Sequence, residues 1–289
     1  MIPAAFEYSS PGTLAEAISL LREHADAKIL AGGQSLIPLM KLRMASPARV
    51  IDINRIEGLN YIKEAGGFLT IGALTRESDL DSSELIRGKY PIISDTAEVV
   101  ADPLVRNLAT VGGNLAHADP ANDHGATMLA LGASVVATGP KGARTIPLTD
   151  FFTGLFTTAL EADEILTEIR IPTPPALSGG AYFKVERKVG DFAAAAVAVQ
   201  ITVDGKNVCK SIGIGLTNVG STPIKAVRAE ASLKGKPLND QNIQAAALIA
   251  SEEAEPTADL RGSVEYKRSL VRVLTGRALR RAIARATGE

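Results

Sequence analysis

Asn107–Gly125 reads NLATVGGNLAHADPANDHG, and its reading decides how the rest of the chain is organised. A Gly-Gly pair lies inside Thr110-Val-Gly-Gly-Asn114, Asp119 and Asp123 follow, and large apolar side chains are scarce. Such a segment cannot be mostly core. Paired glycines allow positive φ and let successive N–H groups point into one concavity suited to phosphate oxygens. A second stretch, Leu30-Ala-Gly-Gly-Gln-Ser-Leu36, has the same character and follows a short apolar run. Its strand-to-helix turn puts unpaired N–H groups at a helix start, with Gln34 and Ser35 as further donors. A lone Gly-Gly after a strand is most often a plain tight turn. Two of them, each flanked by hydroxyl or amide residues, point to two turns that converge on one dinucleotide.

Working outward, Thr13 and Glu16 form a capping box, and Leu14, Ala17, Ile18 and Leu21 make a helical apolar stripe. Lys28–Ala31 reads as a strand, Ser35 onward as a helix with Pro38 in its first turn, and Arg49–Ile53 as the next strand. A second lobe starts near Asn60. It holds a strand at Phe68–Gly72, helices at Thr75–Leu80 and Pro91–Val100, and an apolar helix ending at Leu131. Strands at Ala133–Thr138 and Arg144–Pro147 pair around a Gly-Pro-Lys-Gly turn, and Asp163–Ile171 is a further strand. The prolines 172, 174 and 175 mark a boundary. Beyond them, strands at Ala193–Val203 and Val208–Leu216 flank Asp204-Gly205, a hairpin signal, and helices follow at 224–234, 239–254 and 263–286. The last helix carries seven Lys/Arg between 267 and 285, expected as a solvated face.

The totals narrow the function. With 289 residues, 46% hydrophobic, 22% charged and a net charge of −1, nothing draws the chain to nucleic acid or an anionic membrane. Aromatics at 4% and no Trp leave no stacking platform for single strands. No apolar run reaches membrane-spanning length, MIPAAFEYSSPG lacks the regions of a signal peptide, and the expected location is the cytoplasm. Cys209 is the single cysteine, so a thiolate-held cluster or zinc site is excluded, and no Walker A, HExxH or GxGxxG pattern occurs. Redox work would need an organic cofactor. Asp119 and Asp123 are candidates to accept from ribose, ribityl or flavin groups, or else to cap a turn and a helix. His117 and His124 read as polar groups lining a cleft or surface. Lys184, Arg187 and Lys188 form a basic cluster that faces a ring edge or phosphate, or is an exposed strand face, and Phe192 beside its alanine run defaults to core.

AGGQSL at 31–36, ADPLVRNLATVGGN at 101–114, the DPANDHG that follows and ERKVGDFAAAA at 186–196 resemble the FAD-binding medium subunit of molybdenum-containing hydroxylases. The form most similar is the medium chain of aerobic carbon monoxide dehydrogenases, and the module also resembles the flavin domain of xanthine dehydrogenase. The resemblance implies an α+β fold. A two-lobed α/β FAD-binding domain of the vanillyl-alcohol oxidase/PCMH type spans 1–176, with lobes at about 1–58 and 59–176. A C-terminal domain of a three-stranded antiparallel sheet and a three-helix bundle spans 177–289. It places the pyrophosphate on Ala31, Gly32, Gly33, Gln34, Ser35 and Leu36 and on Thr110, Gly112, Gly113 and Asn114. Further flavin contacts map to Lys28, Leu30, Ala101, Asp119, Asp123, Leu166 and Lys184, and Asp191 and Phe192 lie near the isoalloxazine. Gln34 stands where carbon monoxide dehydrogenases often carry His, and Phe192 where they carry Tyr.

The same resemblance implies no catalytic residue and no metal ligand on this chain. A large subunit with molybdenum cofactor oxidises the substrate, and a small subunit with [2Fe–2S] clusters relays electrons to FAD, which passes them to quinone, NAD or oxygen. The assembly implied is a dimer of heterotrimers. Two other readings stay open at this point: a stand-alone FAD oxidoreductase of the same fold, and an assembly subunit that has lost its cofactor.

Overall fold

The computed structural model describes residues 1–288. The chain begins with β1 (Glu7–Ser9), α1 (Leu14–Glu23), β2 (Ala27–Leu30), α2 (Leu36–Lys41) and β3 (Arg49–Asp52). Thr13 caps α1 with the reciprocal Glu16 bond expected of its capping box. The three strands form a parallel sheet in the order β1-β3-β2, so β2 and β3 both deliver the chain to the same edge. α2 has only six residues, fewer than the apolar run suggested, with Pro38 in its first turn.

A larger antiparallel sheet follows. Its elements are β4 (Ile62–Ala65), β5 (Phe68–Gly72), α3 (Glu77–Ser82), α4 (Glu84–Lys89), α5 (Pro91–Glu98), α6 (Pro103–Arg106), α7 (Val111–His117) and α8 (Asp123–Ala130). Then come β6 (Ser134–Gly139), β7 (Gly142–Pro147), α9 (Leu148–Phe151), the small hairpin β8 (Phe152–Gly154) and β9 (Thr157–Thr158), and β10 (Ile165–Pro172). The sheet order is β4-β5-β10-β6-β7, and β10 carries a bulge between Leu166 and Glu168. α5, α7 and α8 pack on it through Ile92, Ile93, Val111, Leu115 and Met128, which are fully or almost fully buried. Ile165, Leu59 and Leu74 instead join the core under the first sheet, which ties the two lobes together.

The remaining chain forms β11 (Ser178–Glu186), β12 (Ala193–Val203), β13 (Cys209–Thr217), β14 (Ile224–Lys225), α10 (Val227–Leu233), α11 (Asp240–Glu253) and α12 (Val264–Thr287). The three long strands are those expected, and a two-residue fourth strand extends the sheet. The hairpin after β12 is longer than its Asp-Gly pair implied. Asp204 Oδ1 accepts from the amides of Lys206 and Val208, and Asn207, not Gly205, takes positive φ.

Alternation along β12 explains its odd composition. Ala196 and Ala198 face the central lobe, while Val197, Val199 and Ile201 face α11 and α12. Small residues on the first face let α8 approach closely: a Cβ on Gly213 would fall 2.8 Å from the Ala130 carbonyl carbon, and one on Gly215 2.6 Å from that of Ala126. The basic residues of α12 are not one solvated face. Lys267 is 1% exposed and paired with Asp259 at 2.8 Å, and Arg285 grips Asp95 of α5 with two bonds of 2.6 and 2.9 Å. Leu274, Ala278, Leu279 and Ala282 set its register against β11, so the arginine must reach across.

Gly179 is where α12 lies tightest on the sheet, since a Cβ there would sit 2.6 Å from the Ala286 amide nitrogen. Gly179→Ala is expected to destabilise by about 1–3 kcal/mol through overpacking. Gly205→Ala, which meets nothing within 4 Å, serves as the control, and urea unfolding midpoints of the two variants check this.

Candidate functional site: one open cradle and the turn that backs it

The first glycine turn follows β2 directly. Gly33 takes φ +73°, which only glycine adopts without strain, and this redirects the chain into α2. The consecutive amides of Gly32, Gly33, Gln34, Ser35 and Leu36 donate to no acceptor within the described chain, and all five residues are partly exposed. A row of free donors around a positive-φ glycine is an anion cradle. Gln34 departs from expectation: its Nε2 turns back to the Gly32 carbonyl at 3.3 Å instead of facing outward.

The second turn is built differently. Val111 N–H donates to the Thr75 carbonyl at 3.1 Å and Gly112 N–H to that of Ala73 at 3.0 Å. Gly113 N–H is capped by Thr110 Oγ1 at 3.1 Å, and Asn114 N–H donates to the Thr110 carbonyl at 2.9 Å. These amides are consumed inside the chain, so the expected second cradle does not exist here. The reason is tertiary: the segment pairs with the turn that follows β5 as it enters α7. Its glycines serve close approach instead. A Cβ on Gly112 would lie 2.6 Å from that of Ala73, and one on Gly113 would lie 3.7 Å from that of Ala31.

The two turns nevertheless meet. A Cβ on Gly32 would fall 2.7 Å from Ala109 Cα, so the backbone before Thr110 forms the wall of the first turn. Asn114 adds a buried Oδ1 that no group among the described residues satisfies. A buried acceptor without a partner fits a ligand that supplies a donor of its own.

Behind α7 lies a buried polar cluster. Asp123 is the first residue of α8, with Asn122 as the cap, so the capping role does not apply. Its carboxylate accepts from Tyr182 Oη at 2.5 Å and from Lys184 Nζ at 3.0 Å, and Lys184 also donates to the Val99 carbonyl at 3.0 Å. Burial raises the Asp123 carboxyl above its usual range against the pull of Lys184 and Tyr182. Burial, then the Asp123 charge, pushes the Tyr182 phenol well above its ordinary value. Lys184 is therefore a buried ion-pair partner, not part of an exposed basic face. His124, expected to line a cleft or surface, is fully buried with Nε2 2.6 Å from Glu77 Oε2. Asp119 takes the bland role: its Oδ1 accepts from the Ala121 amide at 2.9 Å. His117 packs on Phe156 with ring centroids 5.2 Å apart, and burial lowers its imidazole pKa.

The other residues spread along the same flank. Ala101 is held at φ +47°, where Arg106 Nη1 donates to its carbonyl and Gly190 packs against it, a Cβ there falling 3.0 Å from the Ala101 oxygen. That contact brings the 187–192 loop to the segment leading into the second turn. Asp191 accepts from Arg261 at 2.8 Å, and the Arg261 guanidinium holds its carboxyl below the usual range. Phe192 is 44% exposed with Arg261 5.7 Å above its ring, so its default as core is wrong. Leu166 is buried at the β10 bulge, next to Thr167, whose carbonyl accepts from the Ala73 amide. Lys28 is exposed on β2 and Leu30 half-buried, two residues before the cradle.

Residues 4–174 match the model of the FAD binding domain in molybdopterin dehydrogenase, and residues 180–282 that of the CO dehydrogenase flavoprotein C-terminal domain. The chain belongs to the family of FAD-binding subunits of molybdopterin dehydrogenases. Among its relatives, the carbon monoxide dehydrogenase medium chain of Hydrogenophaga pseudoflava is 44% identical, with 99% of each chain covered. The glyceraldehyde dehydrogenase medium chain of Sulfolobus acidocaldarius is 38% identical over 97% of this chain and 99% of its own. The structure of the Hydrogenophaga pseudoflava carbon monoxide dehydrogenase lacking the Mo-pyranopterin moiety superposes with a TM-score of 0.96 at 46% identity, covering 99% of both chains. Quinoline 2-oxidoreductase from Pseudomonas putida gives 0.92 at 33% identity, covering 100% of this chain and 99% of that one.

The family's cofactor fits what this flavoprotein offers. Five unengaged amides suit a diphosphate, and the unpaired Asn114 Oδ1 suits a hydroxyl or N–H donor. Sequence reasoning missed Asn54, Arg76, Glu77, Tyr182 and Arg261. Tyr182 had a weak signal, since it stands two residues before Lys184 on one face of β11. Arg261 lies 70 positions from its partner Asp191, and no local pattern announces such a pair.

The Glu77–His124 pair makes a pH prediction. Burial alone would depress the His124 pKa, but the Glu77 carboxylate outweighs it and the folded value is raised above 6.5. The stabilisation is therefore complete below pH 6.5 and declines as pH rises through the raised folded value. Thermal midpoints measured from pH 6 to 9 are expected to fall more steeply in the wild type than in His124→Gln.

Proposed function

We propose that this chain is the FAD-carrying electron-transfer subunit of a heterotrimeric molybdenum hydroxylase. The observation that carries the reading is the row of free amides at Gly32–Leu36, walled by the backbone before Thr110. That row would take the FAD diphosphate, with Gly113 facing Ala31 and the unpaired Asn114 oxygen at its side. Thr110 and Gly112 act one layer below, through the cap and the packing on Ala73. Lys28, Leu30, Ala101 and Leu166 would complete the bed along the cofactor, backed by Asp119, Asp123 and Lys184, with Asp191 and Phe192 beside the ring system. FAD supplies the ability to take electrons singly and release them in pairs.

This chain's own residues bind and orient. The Asp123–Lys184–Tyr182 cluster is a satisfied buried group that fixes α8 against β11 behind the second turn, so the wall stays rigid. Arg261 orients Asp191 and covers one side of Phe192. In the complete assembly, an iron–sulfur small subunit delivers electrons and a large subunit with molybdenum cofactor oxidises the substrate. The acceptor is quinone, NAD or oxygen. Relatives named for carbon monoxide, glyceraldehyde and nicotine share one architecture with this chain, which supports substrate choice by another polypeptide. The holoenzyme is then a carbon monoxide dehydrogenase or an aldehyde or heterocycle dehydrogenase. Arrangement as a dimer of heterotrimers in the cytoplasm and a division of the chain into 1–176 and 177–289 belong to the same proposal. Among the described residues no helix is long and apolar enough to cross a membrane.

Purification from its source is expected to yield a yellow complex with two further chains, iron and molybdenum; a yellow chain alone would favour a stand-alone oxidoreductase. Gly33→Val is expected to lower flavin per chain about tenfold, because a β-branched residue is strained at positive φ by roughly 1–3 kcal/mol. Flavin absorbance relative to protein, with far-UV circular dichroism as the fold check, measures it. Wild-type flavin content in that variant would remove the cradle from the reading.

A further inference from the structure

Two carbonyls flank the place where the glycine turns meet, those of Ala31 and Leu108, and each is gripped by a side chain. Asn54, just after β3, donates from Nδ2 to the Ala31 carbonyl at 2.8 Å. Its Oδ1 accepts from Arg76 Nη2 at 2.7 Å, and Arg76 Nη1 donates to the Leu108 carbonyl. The result is an unbroken chain of hydrogen bonds: Ala31, Asn54, Arg76, Leu108. Asn54 comes from the first lobe, and Arg76, the cap residue of α3, from the second.

The orientation of the amide is not free. Asp52 Oδ1 accepts from both the backbone amide of Asn54 at 2.9 Å and its Nδ2 at 2.6 Å, while Tyr8 Oη donates to Asp52 Oδ2 at 2.6 Å. Both Nδ2 hydrogens are thus assigned, and only Oδ1 is left to receive the guanidinium. Arg76 is also tied at its backbone, where its amide donates to Asp79 Oδ2 at 3.2 Å and it bridges Thr110 of the second turn. A planar guanidinium is suited to this because its donors point in fixed directions toward two acceptors at once.

We infer that Asn54 and Arg76 are positioning residues: a strut across the seam between the lobes that sets how the two turns align, and so the affinity for FAD. The inference rests on the functional reading above. Asn54 is exposed and Arg76 partly so, and exposed polar pairs contribute little to global stability. Their effect should therefore appear in ligand affinity and hardly at all in the stability of the apo-protein.

The test uses the full-length chain freed of flavin and titrated with FAD. Arg76→Met and Asn54→Leu are each expected to raise the dissociation constant about tenfold or more, since small misplacements of binding groups are costly. Apo-protein thermal midpoints should stay within about 1 °C of wild type. Because a strut fails wherever it is cut, the double variant should bind no more than about twofold more weakly than the worse single. Arg76→Lys, which can reach one carbonyl but lacks the fork, should fall between Arg76→Met and wild type. Wild-type affinity in both singles overturns the inference. So do additive losses in the double variant, or apo midpoints that drop in step with affinity. A wild-type chain that binds no FAD overturns the functional reading instead.

Discussion

Close backbone contact between Gly32 and the Leu108–Ala109 segment is the constraint on which the site depends. No side chain fits between them, so each turn defines the position of the other. One turn keeps its amides free and the other spends its amides on Ala73, Thr75 and its own cap. Donors that are already aligned need no reorganisation when an anion arrives, and their wall is anchored to the central sheet. The asymmetry divides the labour: binding in the first turn, rigidity in the second.

Rigidity there is inherited from what lies beneath. α8 is packed between the central sheet and the C-terminal sheet, and glycines 213 and 215 let it sit almost on the backbone of β13. Its two leading residues, Asp123 and His124, reach opposite partners: Tyr182 and Lys184 on β11, and Glu77 on α3. Buried charges cost several kcal/mol unless they are paired and hydrogen-bonded, so each fixes the geometry of the element that answers it. The C-terminal segment is bound into the same unit by Arg285 on Asp95, and by Arg261 on Asp191 at the edge of the cleft.

Family membership agrees with this economy. A chain with one buried cysteine, whose thiol burial pushes up to about 11, offers no ligand set for a cluster. Relatives named for unlike substrates align with this chain almost from end to end. Full-length similarity across unlike substrates is expected if this polypeptide handles electrons and another handles carbon.

Sequence alone determined the local elements, because their signals are short-range. The Thr13–Glu16 box, Pro38 in a first turn, the strand at Phe68–Gly72 and the Ser263 cap all appear where their chemistry requires. It also located both glycine turns and, through resemblance to a family, the cofactor. Tertiary structure decided which turn has free amides, since that depends on Ala73 and Thr75 approaching from the turn after β5. It decided that Lys184, Lys267 and His124 are buried ion-pair partners, which their own neighbourhoods do not reveal. And it alone brought Asn54 to Arg76 and Asp191 to Arg261, because hydrogen bonds between distant residues exist only once packing has placed the backbones that carry them.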